Sequence, residues 1–257
     1  MAAGEPRWDD DGWDPKLALL LEEPVPVVSF TFGCPPADTV AALHAAGTEV
    51  WVTVTEPGEA REAVGAGADA LVVQGVEAGG HRGTFSDEDG AGLVGLLALL
   101  QLVRAAVGVP LVASGGIATG RGLAGALAAG AAAGQVGTAL MRCPEAATAA
   151  VHRERLAAPG ATALTRAFTG RTARGIVNAF GREHTASAPR AYPEVHHLTA
   201  PLRARARETG DGELLHLWAG QARELATEAP AEEVVAAMAA EARAALEAAA
   251  IRLRPGG

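Results

Sequence analysis

The residues of this 257-residue chain that could do chemistry gather in three glycine-rich stretches. The first, Gln74-Gly75-Val76-Glu77-Ala78-Gly79-Gly80-His81-Arg82-Gly83, follows the apolar run Ala70 to Gln74. It offers an imidazole, the side chain whose ordinary pKa lies nearest neutrality, so His81 is the candidate general acid or base. The second, Ser114-Gly115-Gly116, directly follows the apolar run Val109 to Ala113, and the third, Gly137-Thr138, lies in the next such run. Glycines at a strand end let backbone N–H groups approach phosphate oxygens. In a barrel of alternating strands and helices, that phosphate site commonly lies in the loops after the last two strands. Either loop alone reads equally well as a tight turn. Two of them one strand–helix unit apart, with His81 at a neighbouring strand end, point to phosphate binding beside an acid/base group.

The remaining histidines compete poorly. His44 and His152 lie in alanine-rich helical stretches, His216 reads as helical beside Leu215 and Leu217, and His184, His196 and His197 fall in a segment without clear periodicity. Neither H-E-x-x-H nor an H-x-H pair is present to bring two imidazoles to one metal ion. Cys34 and Cys143 fit neither a metal-ligand spacing nor a disulfide framework, and read as packing thiols in a reducing cytoplasm. Serine hydrolase chemistry lacks its G-x-S-x-G elbow.

The elements that must position these groups repeat along the chain. An alanine-rich helical stretch ends in glycine and is followed by a short apolar strand. Val40 to Ala46, Gly47 and Glu49 to Thr55 form one such unit; Ala60 to Ala66, Gly67 and Asp69 to Gln74 form the next. Leu96 to Val107 with Gly108 leads into Val109 to Ser114, and Gly122 to Ala129 with Gly130 leads into Gly134 to Leu140. With the earlier run Val25 to Phe32, five strands alternate with helices, which predicts an α/β fold with a parallel sheet. A dinucleotide-binding unit is excluded because no G-x-G-x-x-G follows a strand. After Arg142 the rhythm fades into an irregular segment rich in Arg, Pro and His, and residues 231–252 carry a helical period before Pro255-Gly256-Gly257.

Composition agrees with a globular protein: 49% of residues are hydrophobic and 20% charged, enough apolar material for a core. A net charge of −9 disfavours a nucleic-acid partner. The uncharged run Gly122 to Met141 carries five glycines and reads as buried rather than membrane-spanning. No basic stretch followed by an apolar one opens the sequence, so no secretory signal is expected.

The stretch Gln74 to His81 resembles the Q-G-x-E-A-G-G-H signature of nitronate monooxygenases, formerly called 2-nitropropane dioxygenases. Similarity extends to Pro26-Val27-Val28-Ser29-Phe30-Thr31-Phe32-Gly33, Ala113-Ser114-Gly115-Gly116-Ile117-Ala118, Gly134-Gln135-Val136-Gly137-Thr138, Phe168-Thr169-Gly170-Arg171 and Leu217-Trp218-Ala219-Gly220-Gln221. The resemblance implies a (β/α)8 barrel with a smaller, mostly helical region, holding FMN without a metal. Carried over by position, Gln74 and Gly79 border the flavin and Gly116 approaches its phosphate, in the loop begun by Ser114 and Gly115. Gln135, Val136, Gly137 and Thr138 then form the second phosphate loop, and His81 corresponds to the catalytic histidine. The implied reaction oxidises alkyl nitronates such as propionate 3-nitronate, or nitroalkanes, with O2. It leaves oligomerisation open.

The sequence also departs from the family. Ahead of the strand corresponding to Val25–Phe32, family members carry three strand–helix units, a proline–methionine segment and an asparagine that contact FMN, and these have no counterpart here. Residues 1–23 read as the helix before that strand. The expectation is a barrel lacking its first three units over residues 1–156, an irregular and helical wrapping region over 157–227, and a C-terminal helix and tail over 228–257. Three alternatives stay open: a flavin-dependent enoyl-acyl-carrier-protein reductase-like enzyme, a chain without catalytic activity, and a sugar-phosphate isomerase type of barrel, which would lack the Gln74–His81 signature.

Overall fold

In the computed structural model, residues 3–88 and 90–254 are described. Helix α1 (Trp13–Glu22) leads into β1 (Val27–Phe30), α2 (Ala37–Ala45), β2 (Glu49–Val54), α3 (Pro57–Gly65) and β3 (Ala70–Gln74). The histidine loop holds a short strand β4 (Gly80–His81), and α4 (Leu96–Ala106), β5 (Leu111–Ser114), α5 (Gly120–Ala128) and β6 (Ala133–Gln135) follow. Strands β1, β2, β3, β5 and β6 form one sheet in that order, every pairing parallel. The five strands expected from the alternation are therefore the five observed.

The sequence accounts for this sheet. Val50, Val52 and Val54 of β2, and Leu71 and Val73 of β3, are shut off from solvent on one face, while Thr53 of β2 and Ala70 and Val72 of β3 are buried on the other, and such two-faced burial makes parallel strands read as continuous apolar runs. Leu96, Leu99, Leu100 and Val103 give α4 a buried stripe at helical spacing. The glycines closing the helical units take left-handed φ angles of 85° at Gly47, 106° at Gly67 and 103° at Gly130, which let the chain turn back into the sheet. Among the described residues, β1 and β6 are the sheet's edges: β1 alternates exposed and half-buried residues, and β6 is wholly exposed.

Several boundaries differ from expectation. The run Gly134 to Leu140 is a strand only at Ala133–Gln135, and Thr138–Leu140 is a 3-10 turn; the glycines that break the strand are the candidate phosphate loop itself. Residues 3–12 lie outside the helix expected over 1–23, which begins at Trp13. The segment after Arg142 is more ordered than its composition suggests. It contains α6 (Ala150–Ala157), β7 (Thr162–Thr165), β8 (Ala173–Ile176), α7 (Ala179–His184) and the sixteen-residue α8 (Glu194–Thr209). His196 and His197 therefore lie in a helix, whereas His216 does not. Helix α9 (Ala231–Arg252) packs on α5, close enough that a Cβ on Gly120 would stand 2.5 Å from Ala242 N. The tail Pro255-Gly256-Gly257 lies outside the described residues. No described helix is long and apolar enough to cross a membrane.

Strands β4, β8 and β7 form a second, antiparallel sheet with β8 in the centre. Its pairing of Gly80 with Arg174 and His81 with Ala173 was not legible in the sequence, and it pins the histidine loop to the C-terminal region.

Candidate active site

The histidine loop is held by its own motif residues. The Gln74 side chain donates from Nε2 to the His81 carbonyl (3.1 Å) and accepts at Oε1 from Gly83 N (2.8 Å), closing the loop at the end of β3. The Glu77 carboxylate accepts from Leu96 N through both oxygens at 3.0 Å, so it caps α4 with an anion at the positive end of the helix. Arg82 is fully buried, and its guanidinium donates to the carbonyls of Gln74, Gly75 and Gly92. Gly79 is required by close approach: a Cβ there would stand 2.5 Å from Ala219 C and Gly220 N.

A cleft of about 210 Å³ opens at the carboxyl ends of β3, β5 and β6. Gln74, Gly79, Ser114, Gly115, Gly116, Gln135, Val136, Gly137 and Thr138 all line it, so the structure brings the sequence-predicted cofactor residues together. Ala78, Ile117, Ala118, Gly220 and Ala222 complete the wall. The lining side chains carry no formal charge. Among the backbone donors, Gly116, Ile117, Val136 and Gly137 have N–H groups with no acceptor among the described residues. Gly115 and Gly116 take φ angles of 103° and 70°, and a Cβ on Gly115 would meet Ala78 at 2.9 Å. Thr138 Oγ1 accepts from Gly220 N (3.0 Å), which leaves its proton for a ligand. The first N–H of α5 does not serve the cleft, because Gly120 N donates to the Glu241 carboxylate of α9 at 2.7 Å. Unpaired N–H groups and a hydroxyl on a glycine bed suit the phosphate end of FMN.

His81 stands beside this cleft, joined to it through the Gln74 bond to its carbonyl. Its ring has three aromatic neighbours, Phe32, Tyr192 and Trp218, with centroids at 5.9, 5.7 and 5.5 Å. Its Nε2 lies 2.9 Å from Thr169 Oγ1. Burial pushes the His81 pKa down to about 4, and the charges of Arg171 and His196 add to the shift. The imidazole is therefore neutral at pH 7, the form a base requires. Burial and the charges of Arg203 and Arg207 lower His216 to about 3.

These two depressions have a stability consequence. Between pH 6.5 and 4 the unfolded chain binds protons at His81 and His216 that the native protein refuses, so native stability is full above about 6.5 and falls as the pH drops toward 4. Thermal unfolding followed from pH 7 to 4.5 is expected to show a falling melting temperature, with a shallower fall in His81→Asn. The same slope in both proteins would contradict the buried, neutral state of His81.

Sequence reasoning did not assign roles to the residues around His81. Phe32, Thr169 and Trp218 lie in stretches that resemble the family, but their contacts join segments far apart in the chain. Tyr192 lay outside those stretches; its one signal is that it is the only tyrosine in the sequence.

Fold and cleft together define a parallel α/β protein whose candidate site joins unpaired backbone donors to a neutral imidazole at the strand ends. The chain belongs to the nitronate monooxygenase family, whose model matches residues 2–241. It is 46% identical over 234 residues to a nitronate monooxygenase of Pseudomonas aeruginosa, covering 88% of this chain and 66% of that protein. A nitronate monooxygenase of Paraburkholderia phytofirmans is 39% identical over 236 residues, covering 90% of this chain and 64% of its own length. The chain thus spans just under two thirds of these curated relatives. Among solved structures, a nitroalkane oxidase from Streptomyces ansochromogenes superposes with a TM-score of 0.95 at 50% identity, over 96% of this chain and 73% of that one. FabK from Thermotoga maritima superposes with a TM-score of 0.80 at 30% identity, over 94% of this chain and 76% of its own.

Proposed function

We propose that this chain carries the flavin cleft and the acid/base histidine of an oxidoreductase that oxidises alkyl nitronates, such as propionate 3-nitronate, or nitroalkanes with O2. The observation that carries the reading is the convergence of the Ser114–Gly116 loop, the Gln135–Thr138 loop and the histidine loop on one cleft. The five-stranded sheet is read as an arc of a (β/α)8 barrel, in keeping with the superposition on the nitroalkane oxidase.

In this reading Ser114, Gly115, Gly116, Gln135, Val136, Gly137 and Thr138 hold the FMN phosphate, and Gln74 and Gly79 border the flavin ring. FMN supplies the electron acceptor that O2 reoxidises. His81 takes the proton from the carbon bearing the nitro group when the substrate is a neutral nitroalkane. Phe32, Tyr192 and Trp218 flank the imidazole that makes this transfer. The negative charge that develops on the nitro group raises the proton affinity of the imbedded imidazole at the moment it is needed.

The test is the purified protein's flavin content and its O2 uptake. Bound FMN with O2 consumption on propionate 3-nitronate, in the absence of NAD(P)H, is the expected result. Rapid flavin reduction by NAD(P)H with no response to the nitronate would favour the enoyl-acyl-carrier-protein reductase reading. Failure to bind FMN would remove both.

A further inference from the structure

The contact between His81 and Thr169 decides which imidazole nitrogen is free. Thr169 is buried, 1% exposed, so its hydroxyl can bond only to its immediate neighbours. Those are the Arg171 carbonyl at 3.3 Å, the Arg171 N–H at 3.5 Å and His81 Nε2 at 2.9 Å. A hydroxyl has one proton to give. Among the described residues the Arg171 carbonyl receives no other donor, and a buried carbonyl left unpaired is a rarity in folded proteins. With the Thr169 proton on that carbonyl, the short contact to His81 is satisfied only if Nε2 carries hydrogen and donates to Oγ1. The other nitrogen, Nδ1, has no partner among the described residues. It is also not sealed: the buried side-chain nitrogens or oxygens without partners, among the described residues, are Arg142 Nε and His216 Nδ1.

We propose that Thr169 is a positioning residue that fixes His81 as its Nε2–H tautomer and leaves the Nδ1 lone pair to receive the substrate proton. The assignment rests on the nitroalkane reading for its consequence, though not for the tautomer itself. In the step, the carbon–hydrogen bond beside the nitro group breaks and the proton passes to Nδ1. The electron pair stays with the substrate and spreads over the nitro group to give the nitronate. The resulting imidazolium keeps its Nε2–H bond to Thr169, so the ring need not rotate during the transfer.

The experiment is 15N and 1H NMR of protein labelled at its histidine rings, with the His81 signals identified by their loss in His81→Asn. A hydrogen-bonded proton on Nε2 and a proton-free Nδ1 are expected in the parent, the Nε2 proton becoming fast-exchanging in Thr169→Val and protected again in Thr169→Ser. On a neutral nitroalkane, Thr169→Val is expected to lower kcat about tenfold with little change in KM, a part of the about 10²- to 10⁴-fold worth of a general base. Thr169→Ser restores the rate. A proton on Nδ1 of the parent overturns the proposal, and so does an Nε2 proton equally protected in Thr169→Val. A parent that shows the expected tautomer yet leaves nitroalkanes untouched supports the positioning role and removes the functional reading instead.

Discussion

His81→Asn is expected to lower turnover of a neutral nitroalkane by about 10²- to 10⁴-fold, the usual worth of a general base, while oxidation of the preformed nitronate survives at least in part. The difference follows from chemistry: a nitronate has already lost the proton that His81 removes, so only positioning by the side chain is forfeited. Asparagine is the informative replacement because it keeps a polar group in the aromatic recess of Phe32, Tyr192 and Trp218 without a basic nitrogen. The pH profile supplies an independent check. Because His81 titrates at about 4, the active, unprotonated form persists well below neutrality, and kcat/KM for the nitroalkane in the parent is expected to rise with pH through about 4 and be level above about 5. Equal nitroalkane rates in mutant and parent, or an ascending limb near the ordinary histidine value, would sink the base assignment.

How much of this was legible beforehand differs between the sheet and the site. Glycine-closed helices and apolar runs gave away the five parallel strands, because both signals are local. The phosphate loops were legible for the same reason, although Gly134 to Leu140 looked like one continuous strand. Its strand signal is carried by a few apolar residues spaced by Gly137 and Thr138, and the strand ends at Gln135, before Gly137 turns the chain into the 3-10 turn. The surroundings of His81 were not legible. Thr169 reaches it across 88 residues, and Tyr192 reaches it from the loop before α8. The β4–β8 pairing involves only two residues of the histidine loop, too short a run for any periodicity to reveal. The role of Glu77 was hidden in the same way: its spacing from Leu96 acquires meaning only once the loop folds back over the start of α4.

Arg82→Met is expected to cost the protein at least about 3 kcal/mol of stability and to release the flavin along with it. Arg82 is fully buried, and its guanidinium ties the start of the histidine loop to Gly92, shortly before α4. Its guanidinium donates to Gly75 O at 2.7 Å, to Gln74 O at 2.8 Å, and to Gly92 O at 3.2 and 2.8 Å from two nitrogens. Burial lowers its pKa to about 10, with Glu77 and Glu59 opposing the shift, so the group stays charged at neutral pH. Hydrogen bonds from a charged donor are worth about 1.5–3 kcal/mol each, and a buried acceptor stripped of its donor costs about 1–3 kcal/mol. Gly92 O has no other donor among the described residues, whereas Gly75 O also receives Ala78 N. The sum is therefore less than three full bonds. Methionine fills much of the same volume, which limits any cavity contribution. For a chain of this length about 3 kcal/mol corresponds to a fall in Tm of roughly 6–12 °C. Arg82→Lys is not expected to rescue it, since one ammonium group cannot serve three carbonyls in the fork geometry that the guanidinium provides. Loosening these carbonyls also frees Gln74 and Gly79, which wall the cleft, so flavin retention on gel filtration falls with stability. A Tm within 2 °C of the parent, with flavin retained, would show that the loop is held by its backbone pairing to β8 and not by Arg82.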